Sequence, residues 1–113
     1  MPVFLGAFPV LPGKADEVRK FAQETLGRGE EFSASQKNSG VSREEWSLQE
    51  TPMGDLVLVR FEADDVEKSF ERLATSTDEF DVWFRSRVLD ISGVDLAAPP
   101  EGAPPEFVLD WRA

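Results

Sequence analysis

Leu56 to Val59 is a run of four branched aliphatic residues, and it constrains the fold more than any other stretch of the chain. A strand with one face in water alternates apolar and polar residues, whereas this run leaves no polar face. It therefore predicts a strand in the interior of a sheet, covered on both faces. Val3 to Val10 is a second continuous apolar run of strand length. We expect it in the sheet interior as well, although Pro9 limits its pairing.

Two further stretches alternate and are typical of edge strands. From Arg43 to Glu50, Trp46 and Leu48 share one face, and a turn with proline and glycine joins this strand to the Leu56 run as an antiparallel hairpin. Phe107 to Arg112 alternates in the same way and is predicted to be the last strand. The proline-rich stretch before it cannot continue a helix and is predicted to be a linker.

Spacings of three and four residues, together with start and stop signals, predict the helices. They are Lys14 to Leu26, a short polar helix from Glu30 to Ser39, a helix that Asp64 caps, and a helix from near Thr77 to Gly93. The last two begin with the pattern of a capping box, in which Asp64 or Ser76 precedes a glutamate by three residues.

This order of elements predicts an α+β protein with the ferredoxin-like, split βαβ arrangement in a single domain over residues 1–113. Its antiparallel sheet has four strands in the order 4-1-3-2, the helices lie on one face, and two of them are short additions. The opposite sheet face carries Leu56 and Leu58, which are too apolar for water. We therefore predict a homodimer in which two sheets face each other as an α/β barrel with a cavity.

The composition excludes several chemistries. The chain has no cysteine and no histidine, so disulfides, thiolate nucleophiles and histidine bases or ligands are absent. A net charge of -10 disfavours nucleic-acid and membrane-surface partners. The residues show no calcium loop or phosphate-binding glycine motif, and we predict neither metal nor cofactor. The apolar N-terminal stretch lacks the features of a signal peptide or membrane span, so we expect a cytoplasmic protein.

Several of these stretches resemble the dimeric α/β-barrel superfamily, which includes antibiotic-biosynthesis monooxygenases, and most resemble an uncharacterised bacterial branch of it. The resemblance rests on the opening strand with residues 11–17, the Trp46 strand, the Leu56 to Phe61 strand, and residues 78–84 leading to 91–96. It implies the ferredoxin-like fold and the homodimer described above.

The superfamily also contains haem-degrading enzymes, chlorite dismutase-like proteins and stress-response barrels. Its cofactor-independent monooxygenases tend to use Asn, Trp and His around an aromatic substrate. This chain departs from that pattern, because it has no histidine and its sole asparagine is Asn38 in a polar stretch. Haem ligation by histidine therefore cannot be transferred to it.

Five residues are candidates for binding a ligand. Trp83 and Phe84 lie where a helix could line a pocket, and Arg87 follows one turn after Trp83. An aromatic wall with one cation would suit a carboxylate or phenolate, whereas the alternative is that the aromatics are core and Arg87 reaches solvent. Arg60 shares its strand face with Leu56 and Leu58. If that face meets the cavity, Arg60 and Glu62 form a polar pair near its mouth, and the alternative is an ion pair at the strand end or a contact between subunits. Trp46 either stacks on a ligand or packs in the dimer.

Three function classes follow, and the residues do not decide whether the protein is an enzyme. The first is a homodimeric barrel that binds a small apolar or aromatic metabolite. The second is a cofactor-independent monooxygenase or isomerase that acts on an activated aromatic substrate. The third is a structural or partner-binding dimer with no ligand. A pocket of several hundred cubic ångströms lined by Trp or Phe would favour the first two classes, whereas a sheet interface packed solid would favour the third.

Overall fold

The computed structural model describes residues 2–99 and 102–113, and its sheet has three antiparallel strands. In chain order the elements are β1 Val3–Val10, α1 Ala15–Gly27, α2 Gly29–Asn38, β2 Val41–Gln49, β3 Asp55–Ala63, α3 Val66–Thr75 and α4 Glu79–Ser92. The strand order is β1-β3-β2. The described part of the chain is therefore an α+β fold with four helices.

β3 is the central strand, as the Leu56 to Val59 run predicts. Leu58 pairs with Ala7 of β1 on one side and with Ser47 of β2 on the other. The hairpin between β2 and β3 closes through a turn in which Gly54 has a φ of 122°, a conformation that glycine adopts without strain. This turn fixes the register and with it the face to which every side chain of the hairpin points.

The predicted four-stranded sheet in the order 4-1-3-2 is wrong. Residues 106–113 form no strand, and Phe107, Val108, Leu109 and Trp111 are exposed. The physical reason is that alternation alone supplies no hydrogen-bonding partner for a strand. β1 is consequently an edge strand and not an interior one.

The helices and the sheet enclose an aromatic core on one sheet face. Phe21 of α1 stacks on Trp46 at 5.3 Å between ring centroids, and Phe84 of α4 lies 5.8 Å from the same indole. Phe70 of α3 meets Phe61 of β3 edge-on at 5.4 Å. Each aromatic pair contributes about 0.5–1.5 kcal/mol beyond the burial of its surface.

The other sheet face, which we call the open face, is divided along its strands. The β1 side is apolar, and Leu5 and Leu58 are 46% and 40% exposed. The β2 side is charged, and Arg60 lies 3.4 Å from Glu45 and 3.3 Å from Glu62. The open face therefore offers an apolar half along β1 and an ion-paired half along β2.

Two predicted helix starts are wrong by a few residues. Asp65, not Asp64, caps α3 by accepting a hydrogen bond from the Lys68 backbone N–H at 3.1 Å. α4 begins at Glu79 with Asp78 as its N-cap residue, and that side chain makes no capping bond. Ser76 lies two residues before this N-cap residue; its hydroxyl accepts the Asp78 backbone N–H at 3.2 Å and donates to the buried Asp81 carboxylate at 2.6 Å.

Candidate functional site

A cavity of about 120 Å³ lies between the sheet and the helices. Its wall is mostly aromatic and aliphatic, with contributions from every strand and helix of the fold. We call Phe21, Phe32, Trp46 and Phe84 the aromatic cluster. An apolar cavity of roughly 150 Å³ is large enough to bind benzene, so this one suits a single ring or a short chain.

Glu44 brings a carboxylate to this apolar cavity. Its neighbour Trp46, two residues along β2 and on the same face, donates its indole N–H to Glu44 Oε2 at 2.5 Å. Gln36 of α2 donates its amide N–H to Glu44 Oε1 at 3.0 Å. Two donors therefore fix the orientation of the carboxylate, and each of its oxygens keeps capacity for another hydrogen bond.

The cavity adjoins a groove of about 400 Å³ between α2 and β2. Phe32, Gln36, Val41 and Glu44 line both spaces. The groove and the cavity are therefore adjacent, and Glu44 lies at the boundary between the two.

A buried polar cluster supports one wall of the cavity. We call Ser35, Arg72, Ser76 and Asp81 the Asp81 cluster. The Asp81 side chain is 1% exposed, accepts from Ser35 Oγ at 2.5 Å, and pairs with Arg72 Nη2 at 2.8 Å. Burial of a charge is costly unless it is paired and hydrogen-bonded, and here both conditions are met. The cluster holds α2, α3 and α4 together beside the cavity.

The structure places two of the five candidate residues at the cavity. Trp46 and Phe84 belong to the aromatic cluster and line it. Trp83 packs on Phe21 at 5.5 Å, outside the lining. Arg87 pairs with Glu24 at 2.9 Å and with Glu17 at 3.4 Å. Arg60 lies on the open face, across the sheet from the cavity.

Sequence reasoning missed Glu44 and Gln36, although one signal was present. Glu44 stands two residues before Trp46 and four before Leu48, so the alternation of β2 already places it on their face. No comparable signal marks Gln36, because its position depends on how α2 packs beside β2. Among the described residues, no group of three or more acidic side chains converges as a metal site requires.

Arg28 joins the start of α2 to the start of α4 outside the cavity. Its guanidinium donates two hydrogen bonds to Glu31, at 3.0 and 2.7 Å, and a further one to Glu79. It also lies 4.7 Å over the Trp83 ring. The hydrogen bonds and positive charge of Arg28 lower the pKa of the Glu31 carboxyl from its usual value.

Fold and site together define a small α+β protein with an aromatic cavity beside a three-stranded sheet. Residues 1–99 match DUF6176, a family of unknown function, and the chain belongs to that family. No curated protein and no solved structure matches the chain significantly. No helix among residues 2–99 and 102–113 combines the length and apolar character needed to cross a membrane. The cavity and its lining residues are therefore the basis for the proposed function.

Proposed function

We propose that this protein binds a small apolar or aromatic metabolite in the cavity beside the aromatic cluster. The observation that carries the proposal is the cavity of about 120 Å³, which is lined largely by aromatic and aliphatic side chains and shares four lining residues with the groove. Ligand sites are typically concave, mostly apolar and equipped with a few polar groups, and this cavity has that composition. Its size limits the buried part of the ligand to about one ring.

Toluene is a suitable probe, because it fills such a space without polar contacts. We expect saturable binding by NMR titration and a rise in melting temperature with toluene concentration, since a ligand that binds only the folded state stabilises it. Val59→Phe fills the cavity from β3 and should abolish binding, whereas Val82→Phe makes the same change at an exposed position of α4. Toluene binding that Val59→Phe leaves intact would contradict the proposal.

A cofactor-independent monooxygenase or isomerase is the second candidate function, and Glu44 favours it. A carboxylate beside an apolar cavity can accept a proton from an activated aromatic substrate as a general base. Oxygen uptake with a panel of quinols and phenols tests the oxygenase, with Glu44→Gln as the variant that removes the base. Turnover that Glu44→Gln does not reduce would eliminate this assignment.

We also propose that the protein forms a homodimer through its open face, in agreement with the resemblance to dimeric α/β barrels. The apolar half of that face supports the proposal, because exposed apolar patches mark interfaces. The Arg60 ion pairs lie beside it and offer both charges to a twofold-related copy. A dimer with no ligand would correspond to the third function class, a structural or partner-binding module.

Light scattering with two matched variants tests the dimer. Leu58→Glu places a charge in the apolar half, whereas Ser47→Glu adds the same charge at its cross-strand partner in the charged half. We expect Leu58→Glu to be monomeric and Ser47→Glu to remain dimeric. A wild-type protein that is monomeric at micromolar concentration would refute the dimer.

A further inference from the structure

The charge inside the cavity identifies which ligands its polar group can recognise. Among the described residues that line the cavity, Glu44 alone carries a charge. A carboxylate accepts hydrogen bonds and donates none when ionised. It therefore favours a ligand that donates a hydrogen bond or carries a positive charge, and it repels carboxylates and phosphates.

Two hydroxyl groups in the cavity wall already donate their protons within the protein. Ser35 donates to Asp81 at 2.5 Å, and Ser69 donates to the Ser39 carbonyl at 2.5 Å. Gln36, Ser39 and Ser92 also line the cavity, and their side chains are polar but uncharged. Among the described lining residues, Glu44 is therefore the one that can pair with a positive charge on the ligand.

The aromatic cluster adds a second attraction for cations. The faces of Trp and Phe rings carry negative electrostatic potential and bind ammonium groups, more strongly where water is excluded. Trp46 belongs to this cluster and also holds Glu44 through its indole N–H. Trp46 and the Glu44 carboxylate therefore lie side by side in the cavity lining, and the net charge of -10 attracts cations to the protein from a distance.

On these grounds we propose that the ligand is a small protonated amine whose single ring or short chain fills the cavity. Its ammonium group binds Glu44 at the boundary with the groove. This inference rests on the proposed binding function and narrows it to one chemical class. Lys37 and Arg43 also line the groove, but they do not line the cavity, and Arg43 lies 3.4 Å from Glu45. An ammonium group one methylene from the ring is therefore placed at Glu44.

Benzylamine, toluene and benzoate test the proposal, because they share one ring and differ in charge. Isothermal titration calorimetry at low salt should show that benzylamine binds about tenfold more tightly than toluene. A hydrogen bond to a charged group contributes more to the binding free energy than a neutral contact does. Benzoate should bind more weakly than toluene. Benzylamine that binds no better than toluene, or benzoate that binds as well as benzylamine, would overturn the inference and leave the proposed function standing.

Two isosteric variants locate the effect. Glu44→Gln should reduce the ratio of benzylamine affinity to toluene affinity to about one, whereas Glu45→Gln removes the same charge on the open face and should leave that ratio unchanged. An equal loss in both variants would overturn the role of Glu44. The ranking of the three probes on the wild-type protein decides the question even if Glu44→Gln fails to fold. Failure of all three to bind would remove the proposed function together with the inference.

Discussion

Asp78 and Asp81 both pair with Arg72 and differ in burial, so they form a matched test of the Asp81 cluster. Arg72 Nη2 lies 3.1 Å from Asp78 and 2.8 Å from Asp81, and the two side chains are 69% and 1% exposed. Removal of one partner from a buried ion pair costs about 3–5 kcal/mol. An exposed pair contributes about 0–1 kcal/mol, because water and salt screen it.

Asp81→Ala should therefore lower the free energy of unfolding by about 3–5 kcal/mol, and Asp78→Ala by less than about 1 kcal/mol. Unfolding entropy near 2.1 cal/mol/K per residue gives about 0.24 kcal/mol/K for 113 residues. The expected fall in melting temperature is thus about 12–20 °C for Asp81→Ala and at most about 4 °C for Asp78→Ala. The Asp78 side chain makes no capping hydrogen bond to α4, so its replacement removes no backbone hydrogen bond at the helix start.

Thermal unfolding followed by far-UV circular dichroism, with urea titration at 25 °C as a second measurement, compares the two variants. Asp81→Asn keeps the shape of the side chain and removes its charge, and it should fall between them. The reasoning is refuted if Asp81→Ala and Asp78→Ala lie within about 1 kcal/mol of each other, because burial would then not determine the cost.

Three further predictions concern other parts of the molecule. Gly6→Ala should lower the free energy of unfolding by about 1–3 kcal/mol in urea titrations, because the added Cβ would overlap the packed Phe4 ring. As the control, Gly27→Ala meets open space in α1 and should raise the free energy of unfolding by up to about 1 kcal/mol. Because the folded state lowers the pKa of Glu31, this carboxylate stabilises the fold fully above its unfolded pKa and loses that contribution as the pH falls through its folded pKa. NMR titration of Arg28→Gln should show a higher pKa for Glu31 in the folded protein. An unchanged pKa would contradict the role of Arg28. If the chain dimerises, sedimentation should show the dimer strengthening with added salt, which screens the repulsion between copies of charge -10, and weakening would contradict this account.

The central strand could be predicted from sequence because four consecutive aliphatic residues allow few other placements. The faces of β2 followed from alternation, and Trp46 and Leu48 do face the helices, where both contact the core. The last strand could not be predicted in the same way. Residues 107–112 alternate like an edge strand, but pairing depends on whether the chain before them returns to the sheet, and alternation carries no information about that return.

The cavity could be predicted only in part. The positions of Trp46 and Phe84 in the cavity wall could be predicted, because alternation in β2 and helical spacing in α4 turn both side chains toward the core. Arg60 lies on the face that its strand phase predicts, but the cavity is on the other side of the sheet. Adjacent acids in a strand point to opposite faces, and this rule separates Glu44 from Glu45. Which of the two meets a cavity depends on tertiary packing.

The groove lies between α2 and β2, whereas Leu5 and Leu58 lie on the open face of the sheet. Two copies joined through Leu5 and Leu58 would leave both grooves facing solvent. Uptake of a small molecule would then require no subunit separation, and its affinity would stay constant across a dilution series. Dimer formation and ligand binding would be independent equilibria. A substitution could change one of them without changing the other.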